Sequence, residues 1–82
     1  MVVVHRAYGF RFVIYTLDHE PAHVHITGAG QAKINLLGPR GVPQIVSSIG
    51  IKRSDLRRLI AEAIERRDDF LRRWERIHGR RD

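Results

Sequence analysis

The chain has 82 residues, of which 43% are hydrophobic and 29% are charged, and it contains no cysteine. This composition is typical of one small globular domain, and it excludes a disordered chain, disulfide bonds and a thiolate nucleophile or ligand. The formal net charge of +6 favours a polyanion or an acidic protein as a partner. The apolar stretches are too short to predict a membrane span or a signal peptide, so we expect a cytoplasmic protein whose residues 1–82 form a single domain.

Residues 1–50 predict a β-rich half of four or five strands. We expect these strands at residues 2–4, 10–16, 23–27, 31–37 and 45–49. Tyr8-Gly9 has the composition of a turn, and the glycines at positions 28 and 30 predict a hairpin between the third and fourth strands. The third strand follows a polar connector that contains Pro21, a residue that cannot donate a ladder hydrogen bond.

Successive side chains of a strand point to opposite faces, and this alternation divides the predicted sheet into an apolar face and a polar face. The expected inner, core-facing residues are Phe10, Phe12, Ile14, Val24, Ile26, Ala32, Ile34 and Leu36. The expected outer residues are Arg11, Tyr15, His23, His25, Lys33 and Asn35. The outer face is therefore basic and rich in histidine, which makes it the candidate functional surface.

Residues 54–78 predict one long helix. Ser54 is a suitable N-cap and Gly79 a suitable stop, and apolar residues between them recur at spacings of three and four. Trp74 lies on this apolar stripe and is expected to be at least half buried. Arg67 also falls inside the stripe, either as a stem that carries its charge to solvent or as a guanidinium that binds a carboxylate or phosphate. The expected fold is α+β, with two layers: a mostly antiparallel sheet of four to five strands packed on one long C-terminal helix.

Three of the five histidines lie within seven residues: His19, His23 and His25. His23 and His25 are two residues apart on a predicted strand, so their side chains leave the same face about 7 Å apart at the base. One interpretation is structural, with the rings hydrogen-bonded to the connector and the neighbouring strand. Another is a divalent metal such as zinc, bound by His23, His25 and either His19 or a carboxylate of Asp18 or Glu20.

A third interpretation concerns RNA on the outer face. His23, His25 and Tyr15 are candidate catalytic residues, because imidazoles can move protons and an aromatic ring can stack on a base. The candidate phosphate-binding residues are Arg11, Lys33, Asn35 and Arg67. These are the parts that metal-free RNA cleavage uses, although the sequence contains none of the standard RNA-binding motifs. The sequence supports all three interpretations and leaves open whether the protein is an enzyme.

The chain resembles the small bacterial proteins grouped as domain of unknown function family 4160. The resemblance lies in GFRF at residues 9–12, DHEPAHVH at 18–25 and AK at 32–33, and the arginine-rich C-terminal helix with Trp74 also fits. The string at 18–25 is the most specific part, and it contains all three clustered histidines. The family usually has a second proline where this chain has Ala22, a difference that relaxes the connector and removes no histidine.

The resemblance implies a partner rather than a substrate. Family members have no established activity, and they are often encoded beside another small protein in a pairing like a toxin–antitoxin module. We therefore expect one component of such a pair, which binds the cognate small protein encoded nearby and, as a further ligand, RNA. The alternatives are a metal-binding protein or metal-dependent enzyme that uses His19, His23 and His25, and a non-catalytic interaction module. The oligomeric state is open.

Overall fold

The structure is a computed structural model that describes residues 1–79. This part of the chain contains β1 (Val2–Ala7), β2 (Phe10–Ile14), β3 (His23–Thr27), β4 (Gln31–Asn35), β5 (Gln44–Ile49), α1 (Arg53–Glu65) and α2 (Arg67–His78), with a short 3-10 turn at Pro39–Gly41. The five strands form one sheet in the order of the chain, and every neighbouring pair is antiparallel. The predicted α+β class, the antiparallel sheet and its fifth strand are confirmed.

Tight turns connect the strands because small residues stand where the backbone requires them. Tyr8 and Gly9 both have positive φ, 55° and 79°, which is the backbone of a two-residue hairpin whose twist matches that of its strands. At the next hairpin, a Cβ on Gly30 would lie 2.5 Å from the carbonyl oxygens of Ile49 and Gly50. Only glycine lets these two chain segments approach so closely.

A bulge in β1 brings a histidine to the inner face of the sheet. The pairing of β1 with β2 shifts between Val3 and His5, so Val4 and His5 both lie on the inner side. The His5 ring lies 5.3 Å from the Phe12 ring, and its Nε2 donates a hydrogen bond to Glu62 in α1 over 2.8 Å. This bond lowers the pKa of the Glu62 carboxyl. The edge strand is thereby tied to the helix layer.

The inner face forms the core that was expected from the alternation of side chains. All eight predicted inner residues are buried, together with four residues of the helices: Leu59, Ala63, Phe70 and Trp74. Trp74 is 0% exposed, which confirms its predicted burial. The registers of β2, β3 and β4 place the predicted outer residues together on the opposite face.

The prediction of one long helix is wrong, because the helical segment breaks at Arg66. The backbone of Arg66 has φ −105° and ψ 13°, and it separates α1 from α2. Residues 65–69 carry no apolar side chain that could hold a straight helix against the sheet. Phe70 and Trp74 after the break are buried in the core, whereas Ile64 just before it is 50% exposed.

The C-terminal end of the helical segment is where the sequence analysis predicted it, and the N-terminal end is not. The first helix begins at Arg53 with Lys52 in the N-cap position, so Ser54 lies inside the first turn and is not the cap. Gly79 ends α2 as predicted, with a positive φ of 85° and its N–H bonded to the Glu75 carbonyl over 2.7 Å. Within residues 1–79, no helix combines the length and the apolar character that crossing a bilayer requires.

Truncation of Phe70 tests the packing of α2 on the sheet. Phe70 is 0% exposed and its ring lies 5.6 Å from that of Phe12. We expect Phe70→Ala to lower the free energy of unfolding by about 3–5 kcal/mol, as large-to-small changes in a core do. Ile64→Ala, on the exposed side of α1, should change it by about 0.5 kcal/mol or less. Similar small losses in both variants, measured by denaturant unfolding, would contradict this packing.

Candidate metal centre

Three side chains meet at the start of β3: Asp18, His23 and His25. The two Nε2 atoms of the histidines are 3.2 Å apart. Asp18 Oδ2 lies 3.3 Å from Nε2 of His23, and Asp18 Oδ1 lies 3.4 Å from Nε2 of His25. These residues form the metal-ligand group that we call the Asp18–His23–His25 cluster.

The strand and the connector before it position the cluster in different ways. His23 and His25 project from one face of β3 because they are two residues apart. Asp18 is held by a turn in the connector, in which its N–H donates to the Tyr15 carbonyl over 3.1 Å and its Oδ2 accepts from the Tyr15 N–H over 3.0 Å. The turn brings the carboxylate back over the start of the strand.

His23 is buried, contrary to the expectation that it lies exposed on the outer face. Its residue exposure is 4%, and its ring lies 5.1 Å from that of Trp74 in α2. Its Nδ1 donates a hydrogen bond over 2.8 Å to the carbonyl of Pro21, which follows a cis peptide bond. Because α2 covers the ring, His23 cannot contact a large ligand directly.

With both imidazole rings neutral, the cluster contains more hydrogen-bond acceptors than donors. The Pro21 carbonyl can only accept, so Nδ1 of His23 is the donor, and in the neutral ring its Nε2 carries a lone pair. The oxygens of an ionised Asp18 are acceptors as well. A proton on Nε2 of His25 can serve only one of these two neighbours at a time. A metal cation would satisfy all three groups together.

The spacing of the ligand atoms fits one ion. Atoms bound to zinc at about 2.0–2.1 Å with tetrahedral angles lie about 3.3–3.4 Å from one another, whereas octahedral angles would bring them to about 3 Å. The two imidazole nitrogens are 3.2 Å apart, and each lies 3.3–3.4 Å from a different oxygen of Asp18. With one ligand atom from each residue, the three atoms all lie within 4.8 Å of one another, which is close enough for them to bind the same ion.

His25 is the member of the cluster that solvent reaches. Its side chain is 29% exposed, against 5% for His23 and 14% for Asp18. The Tyr15 ring meets the His25 ring edge-on at 4.8 Å. Burial lowers the pKa of His25 from its ordinary value of 6.5; the Asp18 carboxylate opposes this effect, and His23 and Lys33 add to it. The neutral imidazole that results is the form that binds metals.

A cleft of about 230 Å³ on the outer face adjoins His25. Its polar lining residues are Tyr15, His25, Thr27, Gln31, Lys33, Ser47 and Ser48. Lys33 pairs with His25 on one side and with Ser47 on the other. The structure thus brings three of the predicted residues, Tyr15, His25 and Lys33, to one cleft.

Two polar atoms near this cleft are buried and have no hydrogen-bond partner within residues 1–79. One is the hydroxyl oxygen of Thr27, which lines the cleft. The other is Oδ1 of Asn35, the predicted binding residue that pairs with His23 across the sheet. Buried polar atoms normally find a partner, and these two are exceptions in the interior, not contacts that are open to a ligand in the cleft.

Comparison with protein families gives one result. The model of the family described as domain of unknown function DUF4160 matches residues 9–75. The chain belongs to this family. The match includes the whole Asp18–His23–His25 cluster and most of the cleft. No curated protein and no solved structure matches the chain.

Three predicted site residues of this DUF4160 protein lie apart from the cluster. His19, the proposed third ligand, is exposed and lies outside the group, and the adjacent Asp18 takes its place. Arg67 lies at the break between the helices, where it donates to the Gly41 carbonyl over 2.7 Å and pairs with the Asp68 carboxylate. Arg11 is exposed on the outer face opposite Thr27.

Contacts from α2 support the cluster, and the sequence analysis did not predict them. The His78 ring stacks on Trp74 at 3.9 Å, and its Nε2 lies 3.2 Å from the Tyr15 carbonyl that also holds Asp18. The indole N–H of Trp74 donates to Glu20 over 3.3 Å. The contacts of Trp74 with Glu20 and of His78 with Tyr15 join residues 54 and 63 positions apart in the chain, so no local spacing could reveal these two.

The two cluster histidines should differ in their effect on the stability of the metal-free protein. His23→Ala removes a buried ring that is bonded to the Pro21 carbonyl, and we expect a loss of about 1–3 kcal/mol. His25→Ala trims a partly exposed strand residue and should cost about 0.5 kcal/mol or less. Denaturant unfolding in the presence of a chelator measures both. A larger loss for His25→Ala would contradict the arrangement described here.

Proposed function

We propose that this protein binds a divalent transition-metal ion, zinc in the first place, through Asp18, His23 and His25. The observation that carries the proposal is the convergence of three metal-ligand side chains, whose ligand atoms, one from each residue, all lie within 4.8 Å of one another. The hydrogen bond from His23 Nδ1 to a backbone carbonyl supports it, because metal-binding histidines usually make such a bond with their second nitrogen.

Three protein ligands would leave one position of a tetrahedral zinc ion open. Catalytic zinc sites keep this position for water, whereas structural sites fill it with a fourth side chain. The approach from the His25 side is the accessible one, because His23 and Asp18 are more deeply buried. Zinc lowers the pKa of a bound water to about 7, so metal-assisted hydrolysis is the chemistry that such a site would support.

Zinc titration tests this proposal. We expect purified wild-type protein to bind about one equivalent of zinc, and zinc at about 100 times its dissociation constant to stabilise the fold by about 2.7 kcal/mol. Asp18→Asn and His25→Ala should weaken zinc binding by about 100-fold or more, since even the loss of an outer hydrogen-bond partner costs about 10- to 100-fold. Calorimetry and thermal melting with and without chelator provide the measurements.

His19→Ala is the matched control for these variants. It removes an exposed imidazole next to Asp18 that lies outside the cluster. Its zinc affinity should equal that of the wild type. If His19→Ala abolishes binding while Asp18→Asn retains it, the ligand set proposed here is wrong. If wild-type protein binds no zinc, cobalt, nickel or iron(II), the proposed function itself fails.

A second candidate function, metal-free action on RNA, is favoured by the presence of Tyr15, His25 and Lys33 on one cleft. An aromatic ring, an imidazole and a cation could stack a base, move a proton and hold a phosphate. In that case wild-type protein would bind or cleave RNA in the presence of a chelator, and His25→Ala would reduce the effect by about 10²–10⁴-fold. RNA activity that disappears with chelation assigns the effect to the metal. The cognate small protein expected from the family resemblance stays a prediction.

A further inference from the structure

The cleft beside His25 has an uncompensated positive charge. Lys33 is partly buried in its wall, and within residues 1–79 no carboxylate forms an ion pair with it. Its cross-strand neighbours are the imidazole of His25 and the hydroxyl of Ser47. A partly desolvated ammonium attracts an anion more strongly than an exposed one, because less water screens it. The cleft is therefore suited to an anionic ligand.

An exposed hydroxyl group lies beside this charge on the neighbouring strand. Ser47 in β5 pairs with Lys33 across the sheet and lines the cleft. Its hydroxyl can donate one hydrogen bond to an anion oxygen. Ser48 lines the same cleft, so donors from two adjacent strands border one small space.

We propose that this cleft binds a phosphate group, held by Lys33 and the Ser47 hydroxyl, with one phosphate oxygen directed to the metal ion of the proposed function. The inference rests on that function for the contact with the metal. Phosphate fits better than carboxylate because its several oxygens can meet an ammonium, hydroxyls and a metal at the same time. The volume of about 230 Å³ is below the roughly 300–1,000 Å³ of pockets for larger ligands, so the cleft takes one phosphate group with a small part of its ester.

Cobalt(II)-loaded protein provides the test, because the visible spectrum of the ion reports on its ligands. The probe is inorganic phosphate, titrated into loaded protein that has been freed of excess metal. We expect phosphate to change the cobalt spectrum and to relax the phosphorus nuclear resonance, which shows that it lies near the ion. If cobalt binds and phosphate changes neither signal, the phosphate site is refuted and the metal site stands.

Lys33→Met isolates the contribution of the cleft. Lys33 is a positive charge beside His25, so we expect its loss to leave cobalt binding intact or tighter and to lower the phosphate affinity by about tenfold or more, as for loss of a charged hydrogen bond. Lys52→Met is the control, since it removes the same charge from an exposed position before α1. Equal phosphate affinity in the Lys33→Met and Lys52→Met proteins would overturn the inference.

Metal-free protein separates the two proposals further. If wild-type protein fails to bind cobalt or zinc but binds phosphate with the same dependence on Lys33, the proposed function fails and the phosphate site in the cleft survives.

A competition experiment distinguishes the possible sources of the phosphate group. A mononucleotide and a short single-stranded RNA are each titrated against inorganic phosphate bound to the protein. Competition by RNA that Lys33→Met abolishes identifies a nucleic-acid phosphate as the source. Competition by the mononucleotide alone identifies a small phosphate ester. Either result supports a phosphate site.

Discussion

The two-residue period of β3 is the constraint on which the fold and the candidate site both depend. Val24 and Ile26 lie on the core side and are completely buried, while His23 and His25 leave the opposite side. A shift of the pairing by one residue would place the imidazoles in the core and the apolar chains outside. The core therefore fixes the position of the two histidines, and a site built on a central strand gains the rigidity of the sheet.

The position of Asp18 depends on contacts with the other end of the chain. Asp18 lies in a connector whose turn is held by the Tyr15 carbonyl, and His78 at the end of α2 contacts the same carbonyl. Trp74 covers His23 from the same helix. The residues of α2 thus support the connector and the buried histidine together.

The periodicity of the sequence predicted the features that depend on local spacing. It did not predict the contacts between segments that are distant in the chain. The inner residues, the shared face of His23 and His25 and the pairing of His25 with Lys33 follow from alternation along two hairpin strands. The choice of Asp18 over the adjacent His19 could not follow, because a turn in a connector has no repeating period. The contact of Trp74 with His23 could not be predicted either, since it joins residues in β3 and α2.

The charges of Asp18 and Lys33 connect the proposed metal site with the proposed phosphate site. Burial favours the neutral form of His25, and Asp18 is mostly enclosed, so the metal-free cluster holds a carboxylate charge whose partners are the Tyr15 N–H and two imidazoles. Such a charge is costly unless a cation compensates it. A metal dication would overcompensate, and together with the nearby Lys33 it would leave about two positive charges at the cleft. A phosphate group carries about −1.5 to −2 at neutral pH and would balance them. The same charge that makes the cluster unfavourable alone therefore makes a metal ion and a phosphate favourable together.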